Sequence, residues 1–152
     1  MPSHEVTYVA AGVLIQDGGV LHCQRYQNVI PEWSESWTLP GGKLEVGETP
    51  QEALIREWRE EVSVELLPEE VTVLLFSFIH RIKGYSKAIH VSVYLIEPKD
   101  GRRIEPVLTH AGGQAMKFLP IRDYRKYRTL ASTRPAMESY MKLIGADSSE
   151  KG

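Results

Sequence analysis

The stretch from Thr49 to Val62 is the feature that most constrains this chain, because it predicts one well-bounded helix. Thr49 is a favourable N-cap residue, Pro50 suits the first helical position, and Glu52 follows the cap by three residues, as in a capping box. Apolar and acidic positions then recur at helical spacing on neighbouring stripes. We therefore expect a helix with one face for the core and a second face that is acidic.

The acidic face consists of Glu57, Glu60 and Glu61, which a helix places on one side. Like charges at this spacing disfavour a helix by about 0.2–0.5 kcal/mol per pair. The helix dipole adds about 0.3–1 kcal/mol for each carboxylate near the C-terminal end. A hard divalent cation reverses this balance, since such ions bind carboxylate oxygens together with substrate phosphates. A solvated acidic face paired with Arg56 and Arg59 accounts for the charge pattern alone equally well.

The segment before this helix favours a functional site. Gly41, Gly42 and Gly47 interrupt a polar loop, and Glu48 stands just before the cap. Glycines allow the backbone to approach a ligand closely. A glycine-bearing loop that leads into a helix of carboxylates is typical of a ligand site.

The remainder of the chain predicts short strands, hairpin turns and one closing helix. Asp17-Gly18-Gly19 favours a hairpin turn. The irregular order of strands and helices predicts an α/β (α+β) fold with a mixed sheet covered by helices. The expected strands are Val6–Gln16, Val20–Tyr26, Trp37–Leu39, Val71–Ile82, Ala88–Ile96 and Ala115–Leu119, and the closing helix is Ala136–Ile144.

Length and composition narrow the class of protein. The 152 residues predict one domain over 1–152, with an ordered core at 5–144 and a flexible tail at 145–152. A net charge of −2 without a basic stripe argues against binding to a nucleic acid polymer. The longest apolar-rich stretch, Val73–Ile79, is too short for a membrane helix. The single Cys23 and the absence of a signal sequence at the N-terminus favour a cytoplasmic protein.

The segment that begins at Gly42 resembles the signature of the Nudix hydrolases. That signature reads Gly-x5-Glu-x7-Arg-Glu-U-x-Glu-Glu-x-Gly-U, where U is a bulky apolar residue. Two positions depart from it: Ser63 replaces the second glycine, and Trp58 is larger than the usual aliphatic residue. The matching positions are Gly42, Glu48, Arg56, Glu57, Glu60 and Glu61.

The resemblance implies a fold, a chemistry and a set of site residues. It implies an α/β/α sandwich on a mixed sheet, and Mg²⁺- or Mn²⁺-dependent attack of water on a nucleoside diphosphate linked to another group. Glu57 is our candidate for the general base, with Glu60 next, and Arg56 orients Glu57. The implied metal ligands are Glu57, Glu60, Glu61 and the carbonyl of Gly42. Glu48, through pairing with Arg56 or a metal-bound water, and Gly41 support the site. Arg25 and Lys43 are the candidate contacts to phosphate.

Residues 39–50 are similar to those of the MutT-type nucleoside triphosphate pyrophosphohydrolases, which implies release of a monophosphate and pyrophosphate, as in sanitation of the nucleotide pool. The alternatives are a nucleotide-sugar or ADP-ribose-type pyrophosphatase and a non-catalytic module that senses a nucleotide. The proline that marks many ADP-ribose pyrophosphatases is absent around Phe78. The further glutamate that many relatives carry is absent near Gln114 and Ala115, which implies fewer bound metals, slower turnover or a base supplied entirely by the helix. We expect a monomer or homodimer that acts on a small nucleotide.

The hairpin that follows the helix supplies candidates for a base pocket. Symmetric pairing about Tyr85 places His80 opposite His90 and Phe78 opposite Ser92, all on one face of the sheet. An aromatic and polar surface of this kind suits stacking and edge hydrogen bonds to a nucleobase. The alternative is that these aromatic side chains belong to the core.

Overall fold

A computed structural model of the chain describes residues 5–26, 35–81, 87–123, 133–143 and 145. Short 3₁₀ turns lie at Pro68–Glu70, Lys99–Gly101, His110–Gly112 and Ile121–Asp123. The strands are β1 (Val6–Val13), β2 (Ile15–Gln16), β3 (Gly19–Gln24), β4 (Trp37–Thr38), β5 (Gly41–Lys43), β6 (Val73–Arg81), β7 (Ala88–Leu95) and β8 (Ala115–Pro120), and the helices are α1 (Pro50–Val62) and α2 (Thr133–Leu143).

The strands form two sheets. The first has the order β5-β1-β7-β6 and is mixed, since β1 and β7 run parallel while the other pairs are antiparallel. In the second, β3 pairs antiparallel with β2, β4 and β8. The expected mixed sheet is confirmed.

The two helices cover opposite faces of the mixed sheet. Side chains along a strand alternate between faces. On β1, Ala10 packs in a cluster with Trp58 of α1, whereas Ala11 packs in a cluster with Ala136 and Met137 of α2. The expected sandwich of sheet and helices is therefore present.

The bounds of α1 follow the sequence closely. The Thr49 side chain accepts a hydrogen bond from the Glu52 amide at 3.1 Å, and the Glu52 carboxylate accepts one from the Thr49 amide at 2.9 Å. At the other end, Ser63 adopts a left-handed conformation with φ 57°. Trp58 is fully buried and donates from its indole nitrogen to the Pro40 carbonyl at 2.9 Å. The large residue at this position thus ties α1 to the start of β5.

Several expected elements differ in their bounds. The long strand expected over Val6–Gln16 is broken at the fully buried Leu14, and the segment expected as a loop at 41–43 forms the edge strand β5. The turn at Asp17 and Gly18 is confirmed, with φ values of 51° and 76°. The tail expected at 145–152 lies largely outside the described residues, as does the end of the closing helix at Ile144.

The predicted register of the β6–β7 hairpin is wrong by one residue. His80 pairs with Ile89 and His90 pairs with Ile79, so the two histidines lie on opposite faces of the sheet. Phe78 pairs with Val91, in the core cluster on the α2 side, and not with Ser92. A slip of one residue moves every side chain of a strand to the other face. Ile79, which shares the face of His90, is accordingly 54% exposed.

Within the described ranges, neither helix has the length and apolar character needed to cross a membrane.

Candidate active site

Glu61 is the most deeply placed of the three clustered carboxylates. Its Oε1 atom accepts a hydrogen bond from the Gly41 amide at 2.9 Å. Burial, together with the neighbouring charges of Glu57 and Glu60, raises the pKa of Glu61 to about 8, against the opposing effects of the Gly41 amide and the Arg25 charge. Burial and like charge therefore both disfavour the ionised form of Glu61, and a nearby positive charge would favour it.

Glu57 lies against β5 at a point where only glycine fits. A Cβ atom at Gly42 would lie 2.4 Å from the carboxyl carbon of Glu57. Burial also raises the pKa of Glu57, while the adjacent Arg56 guanidinium lowers it. The Glu57 carboxylate is thus held half-buried beside the backbone of β5.

Arg56 connects the carboxylates of α1 to the loop before it. Its Nε and Nη2 atoms donate to the two oxygens of Glu48 at 2.7 and 2.9 Å, and Nη2 also donates to the Lys43 carbonyl at 2.9 Å. Its Nη1 atom donates to Glu57 at 2.9 Å and lies 3.3 Å from Glu60. These bonds hold the pKa of Glu48 near 2. The expected pairing of Glu48 with Arg56 is present, and Arg56 contacts Glu57 as expected.

The hydrogen-bond pattern of β5 decides which backbone groups face the carboxylates. The Gly12 amide donates to the Pro40 carbonyl and the Leu44 amide to the Tyr8 carbonyl, and Ala10 is paired with Gly42 between them. In an antiparallel ladder the hydrogen-bonded pairs alternate. The carbonyl of Gly42, implied as a metal ligand, consequently faces β1. The Gly41 carbonyl lies on the outer side of β5, where the Gly41 amide meets Glu61.

The segment from Val107 to Gln114 adds contacts that sequence reasoning missed. The Thr109 amide donates to the Glu61 carbonyl at 2.9 Å, and its hydroxyl donates to the Glu60 carbonyl at 2.5 Å. Nothing in the local sequence marks these contacts, because they join residues nearly fifty positions apart. From the sequence, this segment was notable only because it has no glutamate near Gln114 and Ala115.

The three carboxylates have the chemistry of a metal site, although among the described residues no three His, Cys, Asp or Glu side chains converge closely enough to hold a metal as they stand. The Arg56 guanidinium lies between Glu57 and Glu60. The donor set is all oxygen, and the glycine at position 42 leaves the space that the Glu57 carboxylate fills. Oxygen donors of this kind fit a hard divalent cation, and the Glu60 side chain is half exposed and paired with Arg56.

The remaining candidate residues are not all in one place. Arg25 follows β3 and lies near enough to Glu61 to affect its pKa. Lys43 lies on β5, pairs with Val9 and contributes its carbonyl to Arg56. Phe78 lies on the α2 side of the sheet, and His80 shares that face. His90 lies on the opposite face, with its ring centroid 5.4 Å from that of Tyr8.

Comparison with curated proteins gives relatives that match part of the chain. The nucleoside triphosphatases NudI of several Escherichia coli strains, among them O1:K1 and O139:H28, are 41% identical over 86 residues. The match covers 55% of this chain and 59% of each relative, so the chain spans about three fifths of their length.

Solved structures match over most of the chain. The MutT Nudix hydrolase from Burkholderia pseudomallei is 25% identical, with a TM-score of 0.74 over 90% of this chain and 98% of that one. The MutT protein of Methanosarcina mazei Go1 has a TM-score of 0.77 at 15% identity, over 95% of this chain and 99% of that one, which shows a common fold. The family model described as the NUDIX domain matches residues 6–140. With that match and the signature helix in place, the chain belongs to the Nudix family.

Proposed function

We propose that the protein is a Nudix hydrolase that converts a nucleoside triphosphate to the monophosphate and pyrophosphate with the aid of Mg²⁺ or Mn²⁺. The observation that carries this proposal is the set of three carboxylates on α1, of which the half-buried Glu61 and Glu57 have raised pKa values. The partial match to the E. coli nucleoside triphosphatases supports the triphosphate as the substrate class.

The proposed metal ligands are Glu57, Glu60, Glu61 and the carbonyl of Gly41. We choose Gly41 over Gly42 because the ladder with β1 occupies the polar groups of Gly42. When held by these groups, a divalent cation would supply charge to neutralise phosphoryl oxygens and would lower the pKa of the attacking water.

Glu57 is the proposed general base. Its burial raises its pKa, which brings the carboxylate nearer to the proton affinity that a base requires at neutral pH. Glu57 accepts a proton from water while the water oxygen bonds to phosphorus, and the bridging P–O bond breaks to release pyrophosphate. The Arg56 guanidinium holds Glu57 in place through Nη1, and Glu48 holds Arg56.

Cationic side chains serve the phosphates in this proposal. Arg25 lies near Glu61 at the end of β3, and Lys43 lies on the edge strand beside Gly42. The observed β6–β7 register places the candidate residues for the nucleobase on two faces of the sheet, His80 on one and His90 on the other. We assign the nucleobase to the α2 side, where Phe78 and His80 share a face and the rings of Phe76 and Phe78 stack with centroids 5.4 Å apart.

The deciding experiment is a screen of nucleoside triphosphates, ADP-ribose and nucleotide sugars with Mg²⁺ and with Mn²⁺, followed by identification of the products. Monophosphate and pyrophosphate from a triphosphate support the proposal. Two monophosphate products from a nucleotide sugar or ADP-ribose would replace it with a diphosphatase. Nucleotide binding without turnover would point to a sensing module.

The variant Glu57→Gln tests the assigned base. We expect kcat to fall at least about 10²-fold, since the amide cannot accept the proton. Glu65→Gln is the matched control, because Glu65 is exposed and pairs only with Arg59 among the described ion pairs. A rate near that of the wild type in Glu57→Gln would transfer the role to Glu60.

A further inference from the structure

The segment 107–114 covers the C-terminal end of α1. The last carbonyls of a helix have no partners within the helix. Here the Thr109 hydroxyl donates to the Glu60 carbonyl at 2.5 Å and the Thr109 amide to the Glu61 carbonyl at 2.9 Å. The Val107 amide donates to the Val62 carbonyl at 2.8 Å. Three successive carbonyls at the end of the helix are therefore bound by one short segment.

The same segment is attached to the end of β3. The Gln114 amide donates to the Gln24 carbonyl at 3.0 Å, and their side-chain amides form a second hydrogen bond of 3.0 Å. The Tyr26 hydroxyl donates to the His110 carbonyl at 3.1 Å, and the two rings pack with centroids 5.4 Å apart. Arg25, the candidate contact to phosphate, lies between Gln24 and Tyr26.

Two glycines make the fit close on both sides. A Cβ atom at Gly112 would overlap the Glu61 carbonyl oxygen. Gly113 has φ +126°, and a Cβ atom there would overlap the Gln24 carbonyl oxygen. The backbone of the segment therefore lies directly against the end of α1 and the end of β3.

These contacts act on the turn that carries the proposed metal ligands. The carbonyl end of a helix is negative, which disfavours carboxylates in the last turn. Donors bound to the carbonyls of Glu60 and Glu61 offset part of that negative potential. They also oppose unwinding of the last turn under the mutual repulsion of the carboxylates.

We propose that the segment 107–114 is a clasp that holds the last turn of α1 against the end of β3, and that Thr109 is a positioning residue for Glu60 and Glu61. The catalytic part of this inference rests on the proposed function. The structural part, that the clasp positions the Glu60 and Glu61 side chains, is independent of the proposed function, because the contacts of the clasp need neither substrate nor metal.

The test compares Thr109→Val, which lacks the hydroxyl but keeps the backbone amide, with Thr109→Ser, which restores a hydroxyl. The exposed Thr72 supplies a matched control, Thr72→Val. One readout is hydrogen exchange of the Gly41 amide, which reports the position of the Glu61 carboxylate without metal. The others are a calorimetric titration with Mn²⁺ alone and the kcat and KM for a nucleoside triphosphate.

For Thr109→Val we expect Gly41 amide exchange and the Mn²⁺ dissociation constant to rise about tenfold, with kcat falling more than KM changes. For Thr109→Ser and Thr72→Val we expect the exchange rate, the Mn²⁺ dissociation constant and kcat to remain within about twofold of the wild-type values. The proposal is overturned if the Gly41 amide of Thr109→Val exchanges at the wild-type rate, or if serine fails to restore the slow exchange.

Failure of the proposed function gives a different result. In that case the wild type hydrolyses no nucleotide, or binds no Mn²⁺, while Gly41 exchange still responds to Thr109→Val. If Thr109→Val does not fold, Tyr26→Phe provides the second variant, since it removes the bond to the His110 carbonyl at the β3 side of the clasp. Faster Gly41 exchange in folded Tyr26→Phe supports the clasp, and unchanged exchange contradicts it.

Discussion

Arg56 and Glu48, eight residues apart in sequence, form a two-point ion pair, with Nε to Oε2 at 2.7 Å and Nη2 to Oε1 at 2.9 Å. This pair leaves Nη1 directed at Glu57. The position of the proposed base is therefore set by a carboxylate outside the helix, and the loop and the helix behave as one unit.

Arg56→Lys tests this arrangement, because lysine keeps the charge but cannot form the two-point pair. We expect kcat to fall about tenfold or more, as is typical when a residue that orients a site is lost. Glu48→Gln should lower kcat by a similar factor. In a double-mutant cycle, the double variant should raise the activation free energy by less than the sum of the two single effects. Arg59→Lys is the control, since Arg59 is exposed and pairs with Glu65. Additive effects of the two substitutions would contradict the coupling.

Ser63→Gly is expected to stabilise the protein. Ser63 has φ 57°, a left-handed conformation that costs a residue with a Cβ about 1 kcal/mol or somewhat more. The free energy of unfolding in urea should therefore rise by about 1 kcal/mol in the glycine variant. Ser63→Ala separates the backbone effect from the loss of the hydroxyl and should bring no gain. A glycine variant no more stable than the alanine variant would rule out strain at this position.

Trp58→Phe is expected to destabilise the protein by about 2 kcal/mol, since it removes buried volume and one hydrogen bond. The indole nitrogen donates to Pro40 just before Gly41, so kcat should also fall. Chemical denaturation and steady-state kinetics check the two effects. Trp37→Phe, at a half-buried position on β4, is the control for the general loss of an indole. Retention of full stability in Trp58→Phe would show that the core repacks around the smaller ring.

Glu70 predicts an acid limit to stability. Its buried carboxylate accepts hydrogen bonds from the Arg102 guanidinium at 2.8 Å and from the amides of Leu67 and Lys99, and these hold its pKa at about 2. A carboxyl whose pKa is lowered by folding stabilises the protein above its ordinary pKa, and that contribution is lost as the pH falls toward 2. Glu70→Gln should lose about 2–3 kcal/mol at pH 7.

Urea midpoints between pH 2 and pH 7 measure this dependence. The wild type should lose stability more steeply below its ordinary carboxyl pKa than Glu70→Gln does. Glu69→Gln, at a position 54% exposed, is the neighbouring control. Parallel curves for the wild type and Glu70→Gln would show that this carboxylate does not govern the acid limb.

The parts of the molecule that local chemistry dictates were predictable from sequence. The cap at Thr49 and the bounds of α1 follow from spacing along one segment, and the pairing of Glu48 with Arg56 is one that the resemblance to the Nudix signature implies. The face of His80 and His90 was not predictable, because hairpin register depends on the turn and on an irregularity of β6 between Leu74 and Phe76.

Contacts between segments that are distant in sequence could not be predicted from the sequence either. The hydrogen bonds of Thr109 to the end of α1 depend on how the whole fold brings the segment 107–114 against the helix. The edge strand at 41–43 was expected as a loop, since its glycines disfavour a strand locally and only pairing with β1 makes it one.

Gly42 offers a route to an inert form of the protein. One methyl group at this position would occupy the volume of the Glu57 carboxyl, so the carboxylate would have to leave its place beside β5 and Arg56. Gly42→Ala would therefore displace the proposed base, Glu57, and lower kcat, while the net charge of −2 and all ionisable groups stay the same. Such a variant is suited to capturing an uncleaved nucleotide for crystallography.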